Sequence, residues 1–279
     1  MRAVRLLLAA VLAVGALAAA APASSADTVH YYVALGDSLS VGYQPGLGDT
    51  DQGYSDDVYA ALKLKDPSLQ LVKLGCSGET TATMINGGKC TDRYPVGTSQ
   101  LSVAEQFFAA HPGQTKYVTI DIGANDVDGC APGGTIDPVC LVQGVVTITQ
   151  NLNTIMARLK AATKDVPYTS GMNYYDPFLE YWLNGLQGQL ISQASVALLI
   201  GVNTVESVLY QLYGYKVADV QTAYNTLNVL NFDNVPPYGK LPRNVATICQ
   251  LTYMCSVQNI HPNPTGYQVI ADAFLKRLS

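Results

Sequence analysis

Three short apolar runs in the first half of the chain each stop at a glycine followed by small polar residues. Residues 31–35 lead into Gly36-Asp37-Ser38, residues 69–74 into Gly75-Cys76-Ser77-Gly78-Glu79-Thr80, and residues 117–122 into Gly123-Ala124-Asn125-Asp126. Runs of this length and composition predict buried strands. Two weaker runs follow at 166–170 and 215–220. Helical periodicity lies between them, over 55–65, 103–110, 149–163 and 264–278. In the last, Val269, Ile270, Ala273, Phe274 and Leu275 recur at helical spacing. Strands alternating with helices predict an α/β fold whose central, mostly parallel sheet is covered on both faces. Ligands of such sheets sit beyond the carboxyl ends of the strands. The three tails are therefore the places to look for a site, because glycine lets backbone N–H groups come close to a ligand.

The bulk numbers fit this reading. The chain has 279 residues, 48% of them apolar and 13% charged, which describes a folded protein. A formal charge of −5 without a basic stripe speaks against a nucleic-acid partner. The start of the chain reads as a signal peptide over residues 1–26. Arg2 and Arg5 precede an apolar run over 6–20, and small residues then offer cleavage after Ala23 or Ala26. That run is shorter than a bilayer span needs. The later apolar stretch over 190–212 is interrupted by Ser192, Gln193, Ser195, Asn203 and Glu206, so no membrane span is expected. Residues 27–279 are expected to form a single domain. An apolar, tyrosine-rich insertion at about 172–213 would be extra helices packed on the body, or a wall for an apolar substrate. A secreted monomer is the expectation.

Chemistry narrows quickly because the chain has three histidines. His30 precedes the first strand and His111 lies between a helix and the third strand, positions that suit structural roles. His261 lies in Gln258-Asn259-Ile260-His261-Pro262-Asn263-Pro264, a loop leading into the last helix. It is the candidate general base for Ser38, because a serine hydroxyl is a weak nucleophile until a neighbouring base takes its proton. The tetrahedral intermediate of acyl transfer needs donors aimed at its oxyanion. Three stand at strand ends: the N–H of Ser38 at the expected start of a helix, the N–H of Gly78, and the side-chain amide of Asn125. These are the parts of an ester hydrolase. No phosphate loop and no metal-ligand spacing competes with them, and no cofactor is implied.

GDSLSVGY, the CSGETT segment, GAND and the IHPNPTGYQVIADAF ending, in this order over nearly the whole mature chain, resemble the SGNH (GDSL-type) hydrolase family. The resemblance implies a flavodoxin-like, three-layer α/β/α fold. It assigns Ser38 as nucleophile, His261 as base, and Gly78 and Asn125 as oxyanion donors. Asp37 and Asp126 would fix turns at the strand ends. Exported members include lipases, phospholipases and polysaccharide deacetylases, so the expected partner is an ester substrate, with the Tyr174-Tyr175-Asp176-Pro177-Phe178 stretch leaning towards an acyl chain. One position departs from the pattern. The family usually has an aspartate three residues before the histidine, and Gln258 stands there. A negative partner holds the imidazole tautomer and stabilises the imidazolium. The side chain of Gln258, the backbone carbonyl of residue 258 or an aspartate from elsewhere could take that place. The missing aspartate also leaves room for a non-catalytic envelope or binding protein that kept the fold.

Six cysteines fit an exported protein. Six allow many pairings, but they fall into three close couples: Cys76 with Cys90, Cys130 with Cys140, and Cys249 with Cys255. If neighbours pair, each bridge clips a loop carrying or adjoining one of the groups above.

Overall fold

A computed structural model describes residues 28–130 and 136–279. The expected signal peptide and its cleavage sites lie outside the described residues. Five strands, β1 (His30–Gly36), β2 (Leu69–Lys73), β3 (Thr115–Asp121), β4 (Tyr168–Met172) and β5 (Lys216–Ala218), form one sheet in the order β2-β1-β3-β4-β5. Every neighbouring pair is parallel, with Val33 opposite Val72 on one side and Val118 on the other. This is the flavodoxin-like order, in which the chain's direction of travel across the sheet reverses between β1 and β3.

The helices are α1 (Tyr54–Lys63), α2 (Thr81–Asn86), α3 (Gln100–Ala110), α4 (Ala124–Val127), α5 (Pro138–Ala162), α6 (Gly185–Leu212), α7 (Val220–Ala223), α8 (Arg243–Leu251), α9 (Met254–Val257) and α10 (Pro264–Leu275). A 3-10 strap over Pro177–Asn184 precedes α6, and a small antiparallel hairpin, β6 (Phe232–Val235) with β7 (Gly239–Pro242), precedes α8. Side-chain alternation along β1 splits its residues between two cores. Tyr32 and Ala34 join the layer built with α1, α8 and α10, while Val33 and Leu35 join the layer built with α3, α5 and α6. A strand buried on both faces reads as a continuous apolar run, which is why β1 was legible.

Boundaries moved where local chemistry outweighed periodicity. Helix α5 starts well before residue 149 because the Asp137 carboxylate accepts the N–H groups of Val139 (2.9 Å) and Cys140 (3.1 Å), with Pro138 in the first turn. Strand β5 is shorter than 215–220 because Asp219 caps α7, accepting Thr222 N–H at 3.1 Å. The 172–213 stretch is the β4–β5 crossover, made of the strap and α6. By length and composition alone the helical stretch 177–212 could cross a bilayer, with a mean hydropathy of 1.3. In the fold it lies against the strap, α5 and β4.

Candidate active site

Strand β1 ends at Gly36 with φ +134°, and a Cβ there would sit 2.1 Å from the Asp121 carbonyl oxygen at the end of β3, so this close approach of two strand ends requires glycine. The chain then coils through consecutive turns rather than entering a helix, as had been expected at Ser38. Tyr43 N–H bonds to Ser38 C=O at 3.0 Å, and Gly42 takes φ +68°, which a regular helix cannot include. The first helix begins only at Tyr54. Asp37 accepts Leu39 N–H at 3.0 Å and Ser40 Oγ donates to Asp37 C=O at 2.7 Å, so the turn around Ser38 is tied from both flanks.

Beneath this turn lies a buried pair of acids. Asp37 N–H bonds to Asp121 Oδ2 at 3.2 Å, and Tyr54 donates its hydroxyl to Asp121 Oδ1. Burial, then the charge of neighbouring Asp37, pushes the Asp121 carboxyl well above the usual carboxylate range, and burial raises Asp37 as well. Like charges so close in a low dielectric cannot both persist, so Asp121 keeps its proton.

His261 is brought in by the far end of the chain. Its loop is pinned by Tyr253 N–H to His261 C=O (3.0 Å), by Tyr175 OH to Ile260 C=O (2.6 Å), and by Asn263, which caps α10 at Gly266 N–H (3.0 Å). His261 Nε2 lies 2.7 Å from Ser38 Oγ. At the other ring nitrogen, Nδ1 meets Asn259 Oδ1 at 2.8 Å, and the same oxygen accepts the His261 N–H at 3.1 Å. Two donors on one oxygen fix the amide's orientation and leave Nε2 as the acceptor for the serine hydroxyl.

Gln258 is therefore not the group that orients the imidazole. It is exposed and sits in the left-handed conformation (φ 54°, ψ 44°) that ends α9, its side chain outside this network. The turn carries the backbone away from the ring, and position 259 is the one that folds back under it. Burial of His261 holds its pKa down at about 4, only partly opposed by Asp49, so the ring is neutral at ordinary pH.

Asn125 follows Gly123 (φ +134°) at the end of β3 and donates from Nδ2 to Glu79 C=O at 2.9 Å. An amide carries two N–H donors, and one remains for the cleft that Asn125 lines. Gly78 takes φ +77° in the turn closed by Glu79 N–H to Cys76 C=O (3.0 Å), a conformation that side-chain-bearing residues rarely adopt. It stands one residue from the Asn125 contact but does not itself line the cleft. Asp126 accepts Thr81 N–H (2.8 Å) and Thr81 Oγ1–H (2.6 Å), joining the β3 tail to the start of α2, as expected of a turn-fixing residue. The three disulfides pair neighbours: Cys76–Cys90, Cys130–Cys140 and Cys249–Cys255. They bracket the Gly78 turn, follow Asn125, and tie α8 to α9 just ahead of His261. Such bridges fit an extracellular protein.

Ser38, Asn125 and His261 thus line one cleft that is open to solvent. Its remaining walls are mostly apolar, including Leu39, Val127, Phe178, Leu199 and Val202. The hydroxyls of its two tyrosines are turned away, Tyr174 donating to Asp37 Oδ2 (3.3 Å) and Tyr175 to Ile260 C=O. Sequence reading had missed Asn259. The available signal was an amide two residues before a lone candidate histidine, masked by the family's usual spacing of three.

The sequence profile of the GDSL-like lipase/acylhydrolase family matches residues 34–269. The chain belongs to that family. Its fold is shared with an α/β hydrolase from the Lake Arreo metagenome, at 22% identity and TM-score 0.53 over 89% of this chain and 94% of that one. An extracellular lipase from Streptomyces rimosus is similar at 18% identity and TM-score 0.51, over 89% and 100%. An acetyl xylan esterase from Geobacillus stearothermophilus follows at 17% identity and TM-score 0.50, over 89% and 94%. No curated protein matches the sequence. Family membership places the chain among the GDSL esterases and lipases, with the three-layer α/β/α fold of that group.

Proposed function

We propose that this protein is an exported carboxylic ester hydrolase that works through an acyl-enzyme on Ser38. The observation that carries the reading is the 2.7 Å approach of His261 Nε2 to Ser38 Oγ, with Nδ1 held by Asn259. Oγ attacks the ester carbonyl carbon while its proton passes to Nε2, and the carbonyl electron pair moves onto oxygen. The N–H of Ser38 and the amide of Asn125, which line the cleft, receive that oxyanion. Its collapse expels the alkoxide, which takes the proton from Nε2. Water then attacks the acyl-serine, gives its proton to Nε2, and releases the acid as Ser38 recovers its hydrogen.

The wall chemistry favours an acyl chain over a sugar. A polysaccharide needs side-chain hydroxyls and amides turned towards it, whereas both cleft tyrosines spend their hydroxyls inside the protein and offer ring surface. A phospholipase fits the same wall, and a deacetylase ranks behind both. Asn259 supplies an oxygen at Nδ1 where the aspartate is missing, which supports a catalytic protein over a non-catalytic one that kept the fold. The test is hydrolysis of a p-nitrophenyl ester series from acetate to long acyl chains, with Ser38→Ala as the control. Activity that survives in the variant would sink the reading.

Two further outcomes follow. The base must be neutral to accept a proton, so kcat/KM should stay level as pH falls and drop only through about 4, the pKa to which burial lowers His261. Asn259→Asp places a negative charge at Nδ1 and should move that acid limb upward, while Gln258→Ala should change kcat/KM by less than about twofold. A limb near 6.5, the ordinary imidazole value, would mean that the ring is solvated during turnover. Export is tested by N-terminal sequencing of protein recovered from the medium, which should begin at Ser24 or Asp27. Intact Met1 would reject the signal peptide.

A further inference from the structure

Helix α6 carries apolar side chains on its outer face as well as its inner one. Its buried face holds Ser192, Ser195, Asn203 and Glu206 beside Val202, Leu209 and Tyr210, while Leu186 (77% exposed), Leu190 (55%), Val208 (57%) and Leu212 (68%) stand in solvent. Two of these buried polar groups tie the helix to the segment between β4 and the strap, beside the cleft. Ser195 Oγ donates to Asp176 Oδ2 at 2.8 Å, and Asn203 pairs with both Tyr174 N–H (2.9 Å) and Tyr174 C=O (2.8 Å). Burial keeps the Glu206 carboxyl neutral, and it is the one Asp, Glu, Lys or Arg among the residues of α6. Neighbouring α5 carries none from Pro138 to Ala157, and it exposes Val139, Val142 and Val146 as one stripe. Between the two helices opens a second apolar cavity, lined by Ile136 and Leu141 on one side and Leu198 on the other. Phe178, Leu199 and Val202 form the wall it shares with the cleft of Ser38.

We propose that the outer faces of α5 and α6 dock this protein on the surface of a neutral lipid assembly, with the cavity mouth between them facing the lipid. Uncharged apolar faces of this extent mark an interaction site. A second copy seated there would close the mouth, whereas a lipid surface meets it with acyl chains. The α6 face and the α5 face up to Ala157 lack basic groups, so attraction to anionic headgroups has no part in the contact. The protein lies on the surface and does not span it, because moving α6 into the bilayer would expose Asn203 and Glu206 to hydrocarbon.

The choice of a lipid assembly rests on the ester-hydrolase reading, but its test does not require turnover. Secreted protein is floated with phosphatidylcholine vesicles at low and at high salt, as wild type, as Ser38→Ala and as the pair Leu190→Asp with Val208→Asp. Wild type and Ser38→Ala should float equally and without salt dependence, and the charged pair should lower the bound fraction at least about tenfold. An unchanged melting temperature certifies that the pair is folded. The proposal is overturned if wild type stays in the aqueous layer, if it binds only anionic vesicles and is released by salt, if the folded charged pair floats as well as wild type, or if sedimentation finds a dimer through this face that vesicles do not displace. Flotation without Ser38-dependent hydrolysis would remove the ester reading and leave the docking surface. Hydrolysis without flotation would do the reverse.

Discussion

Ser38→Ala is expected to lower kcat/KM for a p-nitrophenyl ester by about 10⁴- to 10⁶-fold, and His261→Ala by a similar factor. The hydroxyl and the imidazole act as one unit, because the proton that leaves Oγ is the one Nε2 accepts across 2.7 Å. Removing either leaves the other without a task, so the double variant should be no slower than the worse single one. Additive losses would mean that the two residues serve separate steps, and a loss under about tenfold for Ser38→Ala would point to another nucleophile. Folding should survive the change. Ser38 is 8% exposed and gives up one hydrogen bond, a difference of about 1 kcal/mol in stability.

Asn125→Ala should lower kcat about 10²- to 10³-fold while leaving KM within a few-fold. The split between the constants distinguishes an oxyanion donor from a structural residue. An amide aimed at charge that develops only in the transition state does little for the bound ester. Asn125 also holds the two loops together through Glu79 C=O at 2.9 Å, so the variant should lose some thermal stability as well. Asn125→Asp separates the contributions, since it keeps the size, removes the donors and brings a like charge towards the oxyanion. It should be at least as slow as the alanine variant. A rise in KM with kcat preserved would assign Asn125 to ground-state binding instead.

The parts of the fold legible in the sequence were those that depend on composition along a short window. β1 is buried on both faces and reads as an apolar run, β3 keeps Tyr117, Val118 and Ile120 at its centre, and α10 shows its buried face as a helical repeat. The start of α5 was hidden because Val, Thr and Ile dominate its first turns, and β-branched residues carry little helical signal on their own. Its cap at Asp137 is a contact, not a pattern. The hairpin β6–β7 was likewise invisible in periodicity, being four residues to a strand and mostly polar or exposed.

Ser38, Asn125 and His261 could be named from residue type and position because strand tails of a parallel sheet converge at one edge. Pairing of the cysteines with their near neighbours also lay within reach, since short separations of 14, 10 and 6 residues leave the chain little freedom to avoid them. The partner of the imidazole did not. Which of several oxygens meets Nδ1 depends on the left-handed cap at Gln258, which swings that side chain into solvent and brings Asn259 beneath the ring. The placement of α6 belongs to the same class. Its residue types describe an apolar helix, and only packing decides that Ser195 and Asn203 turn inward to Asp176 and Tyr174 while Leu186, Leu190, Val208 and Leu212 stay in solvent. Sequence by itself pointed to the strands of the central sheet and to the candidate reacting groups, because these follow from local composition and chain order. Tertiary structure decided what holds the histidine and which surface is left apolar, because those depend on where one turn points and which face of a helix finds hydrogen-bond partners.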